Sequence, residues 1–240
     1  MRYLFLIYLD QHAAEARSDG ERAAAIASHT PYIEMLQRNG RYLGSARLGP
    51  PQSSRILRTT SGKAIVTAGP FAESREQLGG FYLVDAKDLD QAIADASECP
   101  ALNTVATGIE IRPIARGEDR SLAAPSSAPL FLLGIYETRA QAEDDPARDA
   151  VAGPWESYLD RLRREGHLSS AALLAPAGSA TSIRLRDGKV VLADGPFAES
   201  REWLRGYCVL QAPGIDHAVE LASQCPAALE HAIEVRGIAP

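Results

Sequence analysis

The chain is poor in the residues that build cofactor and disulfide frameworks. Of its 240 residues three are cysteine, two methionine, two tryptophan and five phenylalanine. Cys99, Cys208 and Cys225 are too few for a disulfide scaffold and none forms a C-x-x-C pair, which excludes the usual zinc spacings and fits a reducing cytoplasm. No Walker-type loop or G-x-G-x-x-G turn is present, so neither a nucleotide cofactor nor a metal is expected. Positive charge is also short. Twenty-five basic residues face thirty-one acidic ones, a net charge of −6, so there is no basic footprint for nucleic acid. Long apolar runs are missing too. The stretch Tyr3–Leu9 is short for a signal-peptide core and meets Asp10, and a similar stretch recurs in mid-chain at Leu130–Tyr136. Both read as buried first strands, and no membrane partner is expected. What remains is an ordinary globular balance, 45% hydrophobic and 23% charged.

The dominant positive feature is an internal repeat. Residues 69–76 read Gly-Pro-Phe-Ala-Glu-Ser-Arg-Glu, and residues 195–202 repeat all eight at an offset of 126. The same offset pairs Tyr32 with Tyr158, Gly40 with Gly166, Gly62-Lys63 with Gly188-Lys189 and Cys99-Pro100-Ala101 with Cys225-Pro226-Ala227. It becomes 128 near the start, at Tyr8 and Tyr136, and 124 near the end, at Glu110 and Glu234. Residues 116–128 have no apolar period and read as a linker between a first domain at 1–115 and a second at 129–240. The acidity is unevenly shared. The chain up to Glu118 holds 13 basic and 14 acidic residues, and the remainder holds 12 and 17. The stretch Glu143–Asp149 supplies most of the difference and reads as a solvated loop.

Each copy gives one element order. An apolar strand is followed by a helix, near 21–38 and 152–165, with Ile26, Ile33 and Leu36 as inward positions of the first and Gly40 or Gly166 as its stop. A strand and a hairpin come next, turning at Ser61-Gly62 and Asp187-Gly188. After the octapeptide come an aromatic and aliphatic strand, a second helix near 88–97 and 214–223, and a last strand. Leu89, Ile93 and Ala96 mark the inward face of that helix in the first copy. The order predicts an α+β fold of two ferredoxin-like, split β-α-β units. Such a sheet has helices on one face only, so the two copies are expected to pack sheet to sheet as an internal pseudo-dimer.

The run Asp194-Gly195-Pro196-Phe197-Ala198-Glu199-Ser200-Arg201-Glu202, with the opening strand, the helix ending in Gly166 and the Cys-Pro-Ala segment, resembles the YCII-related, DGPF-domain family in a tandem-duplicated form. The resemblance implies a dimeric α/β-barrel type of fold and small bacterial cytoplasmic proteins. Some relatives in the wider superfamily are linked to elimination or dehydrochlorination through a His–Asp pair, and DGPF proteins often resemble accessory partners of sigma factors. The family's histidine lies eleven residues before the glycine that ends the first helix. His29 stands there in the first copy and Trp155 in the second; the motif aspartate is Asp194 in the second copy and Ala68 in the first. Each copy has kept one of the two groups and lost the other.

An imidazole that titrates near neutrality can take a proton while a carboxylate fixes its tautomer. His29 and Asp194 in one cleft would make such a composite pair, whereas a lone helical histidine also reads as a structural residue. Gly69-Pro70 and Gly195-Pro196 read as turns, with Phe71 and Phe197 anchoring them and Asp194 as a turn cap. Glu73, Arg75 and Glu76, with Glu199, Arg201 and Glu202, either line a ligand pocket or form ion pairs at the pseudo-dimer interface. Cys99 and Cys225 read as packed residues and Cys208 as core. Two functions stay open. One is a small-molecule binding or regulatory protein, with a sigma factor as a partner and further homo-oligomers allowed; the other is a cofactor-independent, dehydrochlorinase-like lyase using His29 and Asp194.

Overall fold

The computed structural model describes residues 1–69, 76–104, 106–117, 128–143, 152–197 and 202–239. The fold is α+β with antiparallel strand pairing. The first repeat supplies β1 (Arg2–Asp10), α1 (Gln11–Glu15), α2 (Asp19–Ala27), α3 (His29–Arg38), β2 (Tyr42–Leu48), β3 (Arg55–Thr60), β4 (Lys63–Ala68), β5 (Glu76–Asp85), α4 (Leu89–Ser97) and β6 (Ala106–Gly117). The second supplies β7 (Leu130–Thr138), α5 (Arg139–Glu143), α6 (Ala152–Arg164), β8 (Leu168–Leu174), β9 (Thr181–Arg186), β10 (Lys189–Asp194), β11 (Glu202–Gln211), α7 (Ile215–Ser223) and β12 (Ala232–Ala239).

Local chemistry accounts for most boundaries. Tyr3, Phe5 and Ile7 of β1 pack with α3 and α4 residues in one apolar cluster, and the alternate residues Leu4, Leu6 and Tyr8 on the opposite face are buried as well, so its sequence is an unbroken apolar run instead of an alternation. The single helix expected over 21–38 is two. Pro31 has no N–H to give to Ala27, and the chain restarts through Ser28 to form α3. Ser18 and Glu21 close a reciprocal capping box on α2. The break turns Ile26 outward, 47% exposed, while Leu36 is fully buried. Both predicted glycine stops are present: Gly40 and Gly166 have φ of +67° and +76°, and the next amide reaches back to Leu36 O or Leu162 O at 2.8 Å. Both hairpins turn through paired positive φ, Ser61-Gly62 and Asp187-Gly188, which matches the twist of their strands. On α4 the inward face is Ala92, Asp95 and Ala96, and the expected Leu89 is exposed.

The compact units are not the two contiguous repeats. Unit 1 comprises Met1–Ala46, Ser74–Ile114 and Gly178–Glu199, and unit 2 comprises Arg47–Glu73, Ala115–Ala177 and Ser200–Pro240. Each repeat gives its hairpin to the other unit. In unit 1 the strand order is β2-β5-β1-β6-β9-β10, with Ile109, Glu110 and Ile111 of β6 opposite Ile183, Ser182 and Thr181 of β9. Unit 2 runs β8-β11-β7-β12-β3-β4, with Ile233, Glu234 and Val235 of β12 opposite Leu57, Ile56 and Arg55 of β3. Ile183 belongs to the apolar cluster of unit 1 with Tyr82, Ile109 and Ile111, and Leu57 to that of unit 2 with Ile233 and Val235.

The exchange makes a directional prediction. Ile183→Ala removes a fully buried side chain and is expected to cost about 2–4 kcal/mol. Amide hydrogen exchange should quicken in β6, which lies in the other repeat, and not in β12 of its own repeat.

Candidate functional site

His29 opens α3 and its ring is half-buried against β5. Its Nδ1 lies 2.5 Å from the Tyr82 hydroxyl, and the two rings stack at 5.9 Å with 21° between their planes. Tyr82 is buried and meets Tyr32 edge-on at 5.1 Å; the Tyr32 hydroxyl donates to Asp95 O at 3.0 Å. Asp95 is itself buried and accepts from Arg41 at 2.9 Å and from Gln91 at 3.1 Å. Nearby on β2, the hydroxyls of Tyr42 and Ser45 are 2.9 Å apart.

The protonation of the pair follows from burial. Loss of water pushes the His29 pKa down and the Tyr82 pKa well up, so the groups meet as neutral imidazole and neutral phenol. Where the Tyr82 hydroxyl donates, its proton goes to His29 Nδ1. The other ring nitrogen, Nε2, then carries the imidazole proton. It has no protein partner among the described residues. In that tautomer the pair presents an N–H donor and not a bare base.

The same positions in the second repeat show what the fold itself needs. Tyr158 repeats the Tyr32 bond, donating to Leu221 O at 3.1 Å, so that contact is structural. His29, Tyr82, Tyr42 and Ser45, however, correspond to Trp155, Cys208, Leu168 and Ala171, all members of one buried apolar cluster.

Asp194 ends β10 opposite Thr181 and is exposed. It borders an open cleft of about 370 Å³ on the exchanged hairpin, with Ser182, Arg184, Arg186 and Phe197 among the lining residues. His29 is not one of them. Tyr82 on β5 and Asp194 on β10 are four strand spacings apart, roughly 19 Å along the sheet. The structure thus gives His29 the partner Tyr82 in place of the expected Asp194.

The motif turns are held alike in both copies. Ser182 Oγ donates to Gly195 O at 2.8 Å and Ser54 Oγ to Gly69 O at 2.5 Å, and both glycines have positive φ. Phe197 is the expected anchor. Its N–H donates to buried Glu110 at 3.2 Å, its ring lies 4.9 Å from Tyr8, and Arg184 covers it at 4.5 Å. Gly108 makes room for that ring, since a Cβ there would come within 2.2 Å of it. Glu76 pairs with Arg184 at 3.8 Å and Glu202 with Arg58 at 3.2 Å, so each glutamate holds the hairpin its unit receives. The candidate ligand residues Glu73, Arg75, Glu199 and Arg201, and the second anchor Phe71, lie outside the described residues.

The cysteines are chemically quiet. Burial pushes the Cys99 and Cys225 thiols up to about 12 and Cys208 well above its ordinary value, so none supplies a thiolate near neutrality. Sequence reading did not single out Tyr82, Tyr42, Ser45, Arg184 or Arg186. The available signal was the comparison of repeats strand by strand, in which Tyr82 faces Cys208 and Arg186 faces Thr60.

Residues 1–117 and 130–240 each match the YCII-related domain. The chain belongs to the YCII-related family. An uncharacterised protein of Rhizobium meliloti is 35% identical over 115 residues, 48% of this chain and 93% of its own length. Among solved structures, a putative chlorite dismutase is 12% identical, matched over 100% of this chain and 94% of its own, with a TM-score of 0.46. A haem-binding protein from Thermus thermophilus is 11% identical, matched over 100% and 91%, with a TM-score of 0.43.

The buried imidazole of this YCII-related chain has a pH signature. In the unfolded chain His29 takes its proton near pH 6.5, and in the fold only at lower pH. Stability carried by neutral His29 is complete above pH 6.5 and is lost as pH falls through the depressed folded value. Urea denaturation between pH 7.5 and 5 should show a steeper loss for the native sequence than for His29→Gln, which keeps an acceptor for Tyr82 but does not titrate.

Proposed function

We propose that this YCII-related protein binds a small molecule in unit 1, receiving a ligand carbonyl or carboxylate oxygen on His29 Nε2–H. One observation carries the reading. The four polar side chains His29, Tyr82, Tyr42 and Ser45 stand where the second repeat has Trp155, Cys208, Leu168 and Ala171. The apolar set satisfies the fold, so the fold itself does not require the polar set. A neutral donor beside buried aromatic rings suits recognition of an oxygen acceptor on a partly apolar ligand. The same reading takes each unit as ferredoxin-like, in line with the β6-β1-β5-β2 and β12-β7-β11-β8 strand orders.

A second reading, a lyase using His29 with Asp194, has one observation in its favour: the exchanged hairpin puts Asp194 in the same compact unit as His29. The strand spacing between them speaks against direct contact.

Histidine ring nitrogen NMR separates the two. An Nε2–H tautomer for His29 at pH 7.5, with a mass below about 1 kDa retained in native mass spectra of the intact chain and lost in His29→Phe/Tyr82→Phe, is the expected result. An Nδ1–H tautomer with a bare Nε2 would remove the donor on which the binding reading rests and favour the lyase.

A further inference from the structure

We propose a second, separate site on the face of the exchanged hairpin turned away from the apolar cluster, specific for a small organic anion with an apolar body. The strand alternation defines the face. Ser182, Arg184 and Arg186 of β9 share it with their cross-strand partners Ala193, Val191 and Lys189 of β10, while Ile183 and Leu185 point to the apolar cluster of unit 1. Arg184 and Arg186 are two residues apart on one pleat face, about 6.6 Å along the strand, and Lys189 lies directly across from Arg186. Arg184 and Arg186 thus line one cleft, with Lys189 across the strand pair from Arg186, on a chain whose net charge is −6.

The cations differ in how they are held. Arg184 is positioned from below by the buried Phe197 ring at 4.5 Å and from the side by Glu76 at 3.8 Å. Arg186 is exposed and makes no hydrogen bond or ion pair among the described residues. One guanidinium is therefore pre-oriented and the other has its fork open, an arrangement that suits two oxygens of a carboxylate or phosphate between them. Val191, Ala193 and Pro196 give the lining an apolar part, beside the polar Ser182 and Asp194, and the cleft volume of about 370 Å³ is in the range of small-ligand sites. Phe197 is buried, so it orients Arg184 and does not stack on the ligand.

The first repeat supplies the comparison. Its hairpin carries Arg58 at the position of Arg184 but Thr60, Ile56 and Ala68 where the second has Arg186, Ser182 and Asp194. The turn and the single arginine are common to both copies, and the paired guanidiniums belong to one. Asp194, at the far end of the cleft from Arg186, disfavours a second negative group there. The ligand is thus anionic at one end only.

Calorimetric titration of the intact chain at low salt tests this, with phenyl phosphate, benzoate and inorganic phosphate as probes. Phenyl phosphate or benzoate is expected to bind, more tightly than inorganic phosphate, and which of the two wins tells phosphate from carboxylate recognition. Arg186→Gln should weaken the binding about tenfold, the scale of one charge-assisted contact, and added salt should weaken it further. Arg58→Gln, on the other hairpin, should leave it unchanged, and binding lost in His29→Gln but kept in Arg186→Gln would place the anion at the His29–Tyr82 pair and overturn the proposal. No binding of any probe at millimolar concentration, or equal binding by Arg184→Gln/Arg186→Gln, overturns the proposal. Equal affinity for inorganic phosphate overturns its apolar half.

Discussion

Backbone pairing between a sheet edge of one repeat and a hairpin of the other is the interaction on which this molecule is organised. Without β9, the amide and carbonyl groups of β6 along Ile109–Ile111 would be an open edge, and the β12 edge along Ile233–Val235 would be open without β3. Each hairpin also delivers an apolar side chain, Ile183 or Leu57, into the core it joins. Hydrogen bonding and burial therefore favour the same exchange.

The exchange changes the meaning of the divergence between the copies. By sequence, the first repeat keeps the polar helix position and the second keeps the polar hairpin, so each copy looks half-equipped. In the fold, His29, Tyr82, Ser182, Arg186 and Asp194 all belong to unit 1, and their counterparts Trp155, Cys208, Ile56, Thr60 and Ala68 all belong to unit 2. Duplication has left one polar unit and one largely apolar counterpart at these positions. Unit 2 is not simply degraded. It carries a buried Glu137–Arg205 ion pair at 3.1 Å where unit 1 has Leu9 lying over Gly79. Adding one member alone would leave an unpaired buried charge or a clash, so the two positions have had to change together.

Much of the local structure was legible from particular residues. Gly40 and Gly166 stop helices because the chain there takes a positive φ, and Asp187-Gly188 turns a hairpin for the same reason. Cys208 and Phe197 are buried as the pattern of the repeat indicated. Helix faces were less legible. Ile26 and Leu89 fit the apolar spacing, but the Pro31 break rotates the first outward, and the second sits at the first turn of a helix whose inward face is small residues and Asp95. The partner of His29 was out of reach, since Tyr82 lies 53 positions away and only the fold brings the two rings together.

The sequence by itself determined that there are two homologous copies, the order of their strands, where the glycine-ended helices stop and the hairpins turn, and that the family is YCII-related. All of these follow from local backbone chemistry or from the repeated motif. Only the tertiary structure decided which sheet each hairpin completes, and with it which side chains share a unit. The physical reason lies in the receiving strands. Ile109-Glu110-Ile111-Arg112 and Ile233-Glu234-Val235-Arg236 offer nearly identical backbone edges and side-chain faces, so local chemistry alone does not tell a hairpin which of them to join.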